Sequence, residues 1–149
     1  MGVIYVVRPL DHEVAHWLAQ QGAECPVGLT GRYPTAAEVR AAIGDIPDVR
    51  YHQSVGTGGS GWQIDVMHRQ DPANGRWTSI RSDGGATDRA AIAFHKGWSD
   101  LIIEIVHRLS ARTGPLVLIP DTGQTPMAIW QARSLADTLN AFGMVDVLG

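Results

Sequence analysis

The sequence predicts one α+β domain spanning residues 1–149, with an antiparallel or mixed sheet of five to six strands and about four helices packed mainly on one face. Three observations lead there. Apolar residues make up 44% of the chain and charged residues 18%, a balance that supplies one core and argues against disorder. Segments with a two-residue apolar period and segments with a helical period both occur, so strands and helices are both expected. No linker is long enough to divide the chain, and no internal repeat is visible.

The elements follow in order. Val3 to Val7 is β-branched and aromatic and reads as a buried strand, ended by Arg8-Pro9. Asp11 is placed to cap a helix running to about Gln21, before Gly22. Leu10, Val14, Trp17, Leu18 and Gln21 share one side of that helix. Residues 23–34, with Pro26, Gly28, Gly31 and Pro34, read as loop. Thr35 then caps a second helix, with Glu38 in capping-box position and Gly44 near its end. Arg50 to Val55 is a strand candidate, and a glycine-rich link over 56–61 follows it. From Trp62 to Arg69 the residues alternate, with Trp62, Ile64, Val66 and His68 on one side and Gln63, Asp65 and Met67 on the other. Asp71 to Gly75 is a turn, Trp77 to Arg81 a returning strand and Ser82 to Gly85 another turn. Ala90 to Phe94 reads as a short strand. Trp98 to Arg112 is the clearest helix, on Leu101, Ile102, Ile105, Val106 and Leu109, and Gly114-Pro115 ends it. Leu116 to Ile119 is an apolar central strand, residues 126–130 fit strand or helix, and Ala132 to Phe142 closes the chain as a helix.

Charge and cysteine content narrow the function. The net charge is -3, with Lys96 the only lysine and eleven scattered arginines. Phosphate-led nucleic-acid binding requires clustered cations, so that class is not expected. Cys25 is the only cysteine, so an intrachain disulfide is impossible and a reducing, cytoplasmic setting is expected. No stretch approaches the roughly 18 apolar residues of a membrane span.

His12-Glu13-Val14-Ala15-His16 resembles the zincin metalloprotease signature. That resemblance implies His12 and His16 as zinc ligands and Glu13 as the general base on a metal-bound water. The helix geometry opposes it. At about 100° per residue, the side that buries Val14, Trp17 and Leu18 turns both histidines toward water, and no motif supplies a third ligand. Gly56-x-Gly58-x-x-Gly61 matches a dinucleotide fingerprint in letters, but it leads into an alternating strand and not a helix N-terminus. No cofactor is therefore expected, and no catalytic residue is assigned. His52, His68, His95 and His107 lie on different elements, with Asp65, Asp83, Asp100 and Asp121 open as partners. Ser54, Ser60 and Ser79 lack a nucleophile elbow.

Trp62 and Trp77 flank the turn of one hairpin, and an exposed tryptophan there is a candidate protein contact. Asp83, Asp88 and Asp121 are further candidate contacts, the last in a turn after the central strand. In size and layout the chain resembles the small cytoplasmic immunity proteins that bacteria pair with polymorphic or contact-delivered toxins. The resemblance implies a non-catalytic domain that binds a cognate toxin and covers its active site. Acidic clusters such as Asp45 with Asp48, or Asp83 with Asp88, would then speed association with a basic toxin. A small zinc-dependent hydrolase using His12 and His16 is the enzymatic alternative. An assembly module pairing through an edge strand is a third.

Overall fold

A computed structural model describes residues 4–56, 61–68 and 76–142. The 71–75 turn and most of the glycine-rich link, including Gly58, lie outside the described residues. The elements are β1 (Ile4–Pro9), α1 (His12–Gln20), α2 (Ala36–Gly44), β2 (Val49–Val55), β3 (Trp62–His68), β4 (Trp77–Ser82), β5 (Ile92–Gly97), α3 (Ser99–Thr113), β6 (Leu116–Pro120), β7 (Met127–Ile129) and α4 (Leu135–Ala141). The class is the expected α+β with four helices.

The sheet has seven strands in the order β2-β3-β4-β5-β1-β6-β7, and every pairing is antiparallel. This corrects the expected five to six. The extra strand is β7, only three residues long, within the 126–130 stretch whose apolar pattern is too short to separate strand from helix. β2 to β5 form a meander, and β1 is inserted between β5 and β6.

Local signals set the helix starts. The Asp11 carboxylate accepts the Val14 N–H at 2.8 Å. At α2 the capping box is complete, since Thr35 Oγ1 accepts the Glu38 N–H and the Glu38 carboxylate accepts the Thr35 N–H. These contacts satisfy N–H groups that a helix start otherwise leaves without partners.

One face of the sheet carries the main core. Tyr5, Val7, Ile64, Val66, Ile80, Ile92, Phe94 and Leu118 meet Val39, Ile43, Ile102, Ile105 and Leu109 there. α3 is the middle helix, flanked by α2 and α4. It is therefore buried around most of its circumference, including Ile103 and Thr113. α1 lies on the opposite face, where Leu10, Val14 and Leu18 cover Val117 of β6 and Ala128 of β7.

The 21–35 loop crosses from one face to the other at the β1–β6 end. Leu10 N–H donates to Pro115 O at 3.0 Å, Gly31 N–H to Leu10 O at 2.9 Å and Arg32 N–H to Thr113 O at 2.9 Å. A Cβ at residue 31 would sit 2.0 Å from the Pro115 carbonyl oxygen, so only glycine fits this crossing.

Candidate functional site

α1 covers only the β6–β7 end of its face. The rest of that face, over β1 to β5, has no described helix packed on it, and the strand register determines what it displays. One cross-strand row reads His52, Asp65, Ser79, His95 and Ile4. The next row reads Ser54, Gln63, Arg81, Ala93 and Val6. Directly opposed residues share a face, with Cβ atoms about 4.5–5.5 Å apart. Met67 and Trp77 form a further pair beyond Asp65 and Ser79.

A bulge alters the pattern on β5. Thr78 pairs with Gly97 and Ser79 with His95, which leaves Lys96 as the extra residue. Lys96 has φ of 62° and Gly97 of 112°. As a result His95 and Lys96, sequence neighbours, line the same hollow of ≈ 570 Å³ together with Ser79, Arg81, Asp65 and Gln63. Simple alternation would have sent Lys96 to the core side.

Ser79 is the low point of this surface. It is only 7% exposed, enclosed by larger neighbours on its own and both adjacent strands. The other buried hydroxyls of β4 are bonded, Thr78 donating to Lys96 O at 2.9 Å and Ser82 to Ala91 O at 2.8 Å. Ser79 Oγ has no hydrogen-bond partner, and among the buried side-chain polar atoms of the described residues it shares that condition only with Trp62 Nε1. His95 is held below the ordinary histidine range, first by burial and then by the positive charge of Arg81.

Ion pairing differs between the sides of the molecule. Arg32–Glu38, Arg76–Asp100, Arg108–Glu104, Arg112–Asp45 and Arg133–Glu24 are ion pairs of the helices and their flanking loops. On the open face, Arg8, Arg81 and Lys96 make no ion pair with any described residue, and Arg50 meets only the Met67 sulfur, at 3.7 Å. On this surface Asp83 lines a hollow of ≈ 370 Å³ beside Arg81 and His95, and Asp65 accepts the Gln63 amide at 3.0 Å. Trp77 is 41% exposed beside it and Val6 38%.

The residues expected from sequence separate as follows. Trp77 is on the open face, whereas Trp62 is 3% exposed and packs in the main core, because the alternation of β3 turns it with Ile64 and Val66 toward the helices. Trp62 therefore cannot serve as a surface contact. Asp83 and Asp88 are exposed in the β4–β5 connection, where Asp88 accepts the Gly85 N–H at 2.9 Å. Asp121 extends the β1–β6 ladder, accepting the Ile4 N–H at 3.1 Å and donating its own N–H to Ile4 O at 2.9 Å. Asp45 is engaged by Arg112 at 3.7 Å.

His12 and His16 are exposed, and the His16 ring accepts from the Gln20 amide at 3.2 Å. Val14 and Leu18 are buried and Trp17 is half-buried, the rotation read from sequence. No group of three or more His, Cys, Asp or Glu side chains suited to a metal occurs among the described residues.

Of the scattered histidines, His52 faces Asp65 across β2–β3, and His107 is 2.6 Å from Arg133 O. The Asp65–Ser79–His95 row is not a catalytic triad. The hydroxyl lies between acid and imidazole, so no carboxylate orients His95, and no hydrogen bond activates Ser79. Arg81, Gln63 and Lys96 are the functional candidates that sequence reasoning missed.

No protein-family model, no curated protein and no solved structure matches this chain.

Proposed function

We propose that this protein is a non-catalytic protein-binding domain that engages its partner through the open face of β1 to β5, and that the partner is a toxin it neutralises in the manner of an immunity protein. The observation that carries the reading is the concentration of unpaired cations and exposed Trp77, Met67 and Val6 on a surface without a described covering element. Tryptophan and arginine dominate binding hot spots because they combine large contact area with directional donors. An uncovered sheet face with apolar residues at its surface is stabilised when a partner removes it from water.

The charge also specifies the complement. The chain is net negative at -3, but this face presents Arg8, Arg50, Arg81 and Lys96 against Asp65 and Asp83. It suits a partner surface that is partly apolar and acidic, not the basic nuclease surface that acidic mimicry would require. The order of the Asp65–Ser79–His95 row supports a binding role over a catalytic one.

The test is co-expression with a toxin encoded beside this protein's gene. The expected result is a stable complex and rescue of growth, both lost in a Trp77→Ala/Arg81→Glu double variant that remains folded. Absence of a complex with every such toxin, or a complex indifferent to the double variant, rejects the proposal.

A further inference from the structure

The corner between β4 and β5 has features of its own. Arg81 and His95 line two adjoining hollows, one of ≈ 570 Å³ that includes Ser79 and Lys96 and one of ≈ 370 Å³ that includes Val6 and Ala93. Ala93 is directly opposite Arg81, and Ser79 is directly opposite His95. The small alanine leaves room between three larger polar side chains. We propose that this corner, bounded by Ser79, Arg81, Ala93 and His95, is a binding site for a single oxyanion group, a carboxylate or a phosphate.

Each residue supplies a part that otherwise has no use in the fold. Arg81 offers a guanidinium without an acid partner, able to bind two oxygens in parallel. Ser79 offers a hydroxyl whose burial without a partner is costly and which an oxyanion would satisfy. His95 offers a ring that gains a favourable charge contact once an anion is present. Lys96, brought round by the bulge, adds a second fixed cation.

One acid shares the smaller hollow, Asp83, which lines it with Arg81 and His95 but makes an ion pair with neither; the other acids are set back. Asp65 is two strands from His95, about 10 Å away at ordinary sheet spacing, with Ser79 between them. Asp121 is the same number of strands away on the other side, beyond β1, whose Ile4 and Val6 carry no charge. The charged groups about His95 are therefore Arg81, Lys96 and Asp83, which line its two hollows, with Asp65 at the far side of the larger one and Asp121 beyond β1. Burial first, and Arg81 second, hold the His95 ring below the ordinary histidine range; a bound anion opposes the second of these, so affinity rises as pH falls toward that range. The site does not depend on the partner-binding reading, since a free anion can occupy the corner whether or not a protein covers it.

The test is an NMR titration of the full-length protein with inorganic phosphate and, separately, acetate, at constant ionic strength in chloride. Saturable shifts are expected at Ser79, Arg81 and His95, with dissociation constants on the order of millimolar and an upward move of the His95 midpoint. Arg81→Ala should weaken binding roughly tenfold, as loss of one charge-assisted hydrogen bond does. Ser79→Ala should weaken it about threefold. Arg108→Ala, which removes a cation on α3, should leave it unchanged. Saturation by phosphate alone assigns a phosphate ligand, by acetate alone a carboxylate, and by both a general oxyanion site. Shifts that fail to saturate, appear equally at Arg108, or saturate with unchanged affinity in Arg81→Ala overturn the proposal.

Discussion

The two faces of the sheet follow opposite rules. On the covered face, Phe94, Ile64 and Ile80 are fully enclosed by α2 and α3, and the arginines around those helices have partners, Arg32, Arg76 and Arg108 with acids and Arg40 with the Gln53 amide oxygen. On the open face, cations stand without acids, a serine is buried without a partner and a tryptophan meets water. The same strands build both, so the difference lies mainly in which side chains alternate to each side, with the β5 bulge adding Lys96 to the open face. It teaches that the covered face holds the fold together while the open face keeps bonding capacity in reserve.

That contrast can be broken at either end. The largest effect is expected from Phe94→Ala, which empties a fully buried site on the covered face and should cost about 3–5 kcal/mol in urea unfolding. A much smaller loss would mean that the core is looser than the burial implies. Gly31→Ala attacks the crossing between the faces, because its Cβ meets the Pro115 carbonyl. It should destabilise by about 1–3 kcal/mol, and an unchanged midpoint would show that the loop passes elsewhere.

Glu38→Gln removes the partner of Arg32 and weakens the α2 capping box, at a cost of roughly 1–2 kcal/mol at neutral pH. The hydrogen bond from Arg32 is the main cause that lowers the Glu38 carboxyl from 4.5 to about 2. Because the folded value is the lower one, this contribution is complete above pH 4.5 and disappears as pH falls toward 2. Stability curves of parent and variant should therefore converge in acid. Parallel curves would assign the loss to something other than the carboxylate.

Ser79→Ala on the open face should have the opposite sign, leaving stability unchanged or raising it by up to about 1 kcal/mol, because the hydroxyl it removes is unsatisfied. A clear loss would mean that the hydroxyl has a partner in solution and that the reserve is smaller than described. The smallest change is expected for His12→Ala/His16→Ala, within about 0.5 kcal/mol, since both side chains are exposed. Zinc should not shift the thermal midpoint of either form. A zinc-dependent rise that vanishes with His16→Ala would restore the metal reading of α1.

Features that depend on neighbours in the chain were legible in the sequence. Asp11 and the Thr35–Glu38 pair announce their helices through hydrogen bonds spanning three residues. The alternation of β3 correctly separates Trp62 from Asp65. Features that depend on strand order were not legible. Val14 and Leu18 identify an apolar side of α1, but only the position of β6 and β7 decides which face receives it. The row of His52, Asp65, Ser79 and His95 joins residues 13 to 16 positions apart, through registers that no single segment specifies. Lys96 escaped because a bulge interrupts the period that such readings assume. β7 escaped because three residues hold less than two full alternations.

The interior position of β1 has a consequence for biosynthesis. Ile4–Pro9 leaves the ribosome long before the strands that flank it, Ile92–Gly97 and Leu116–Pro120. Until then an apolar ribbon has two unfilled edges, and a chain arrested before residue 92 has neither neighbour to offer it. Completion of the sheet thus waits for Leu116–Pro120, and nascent chains stalled before that strand are the forms most in need of a chaperone.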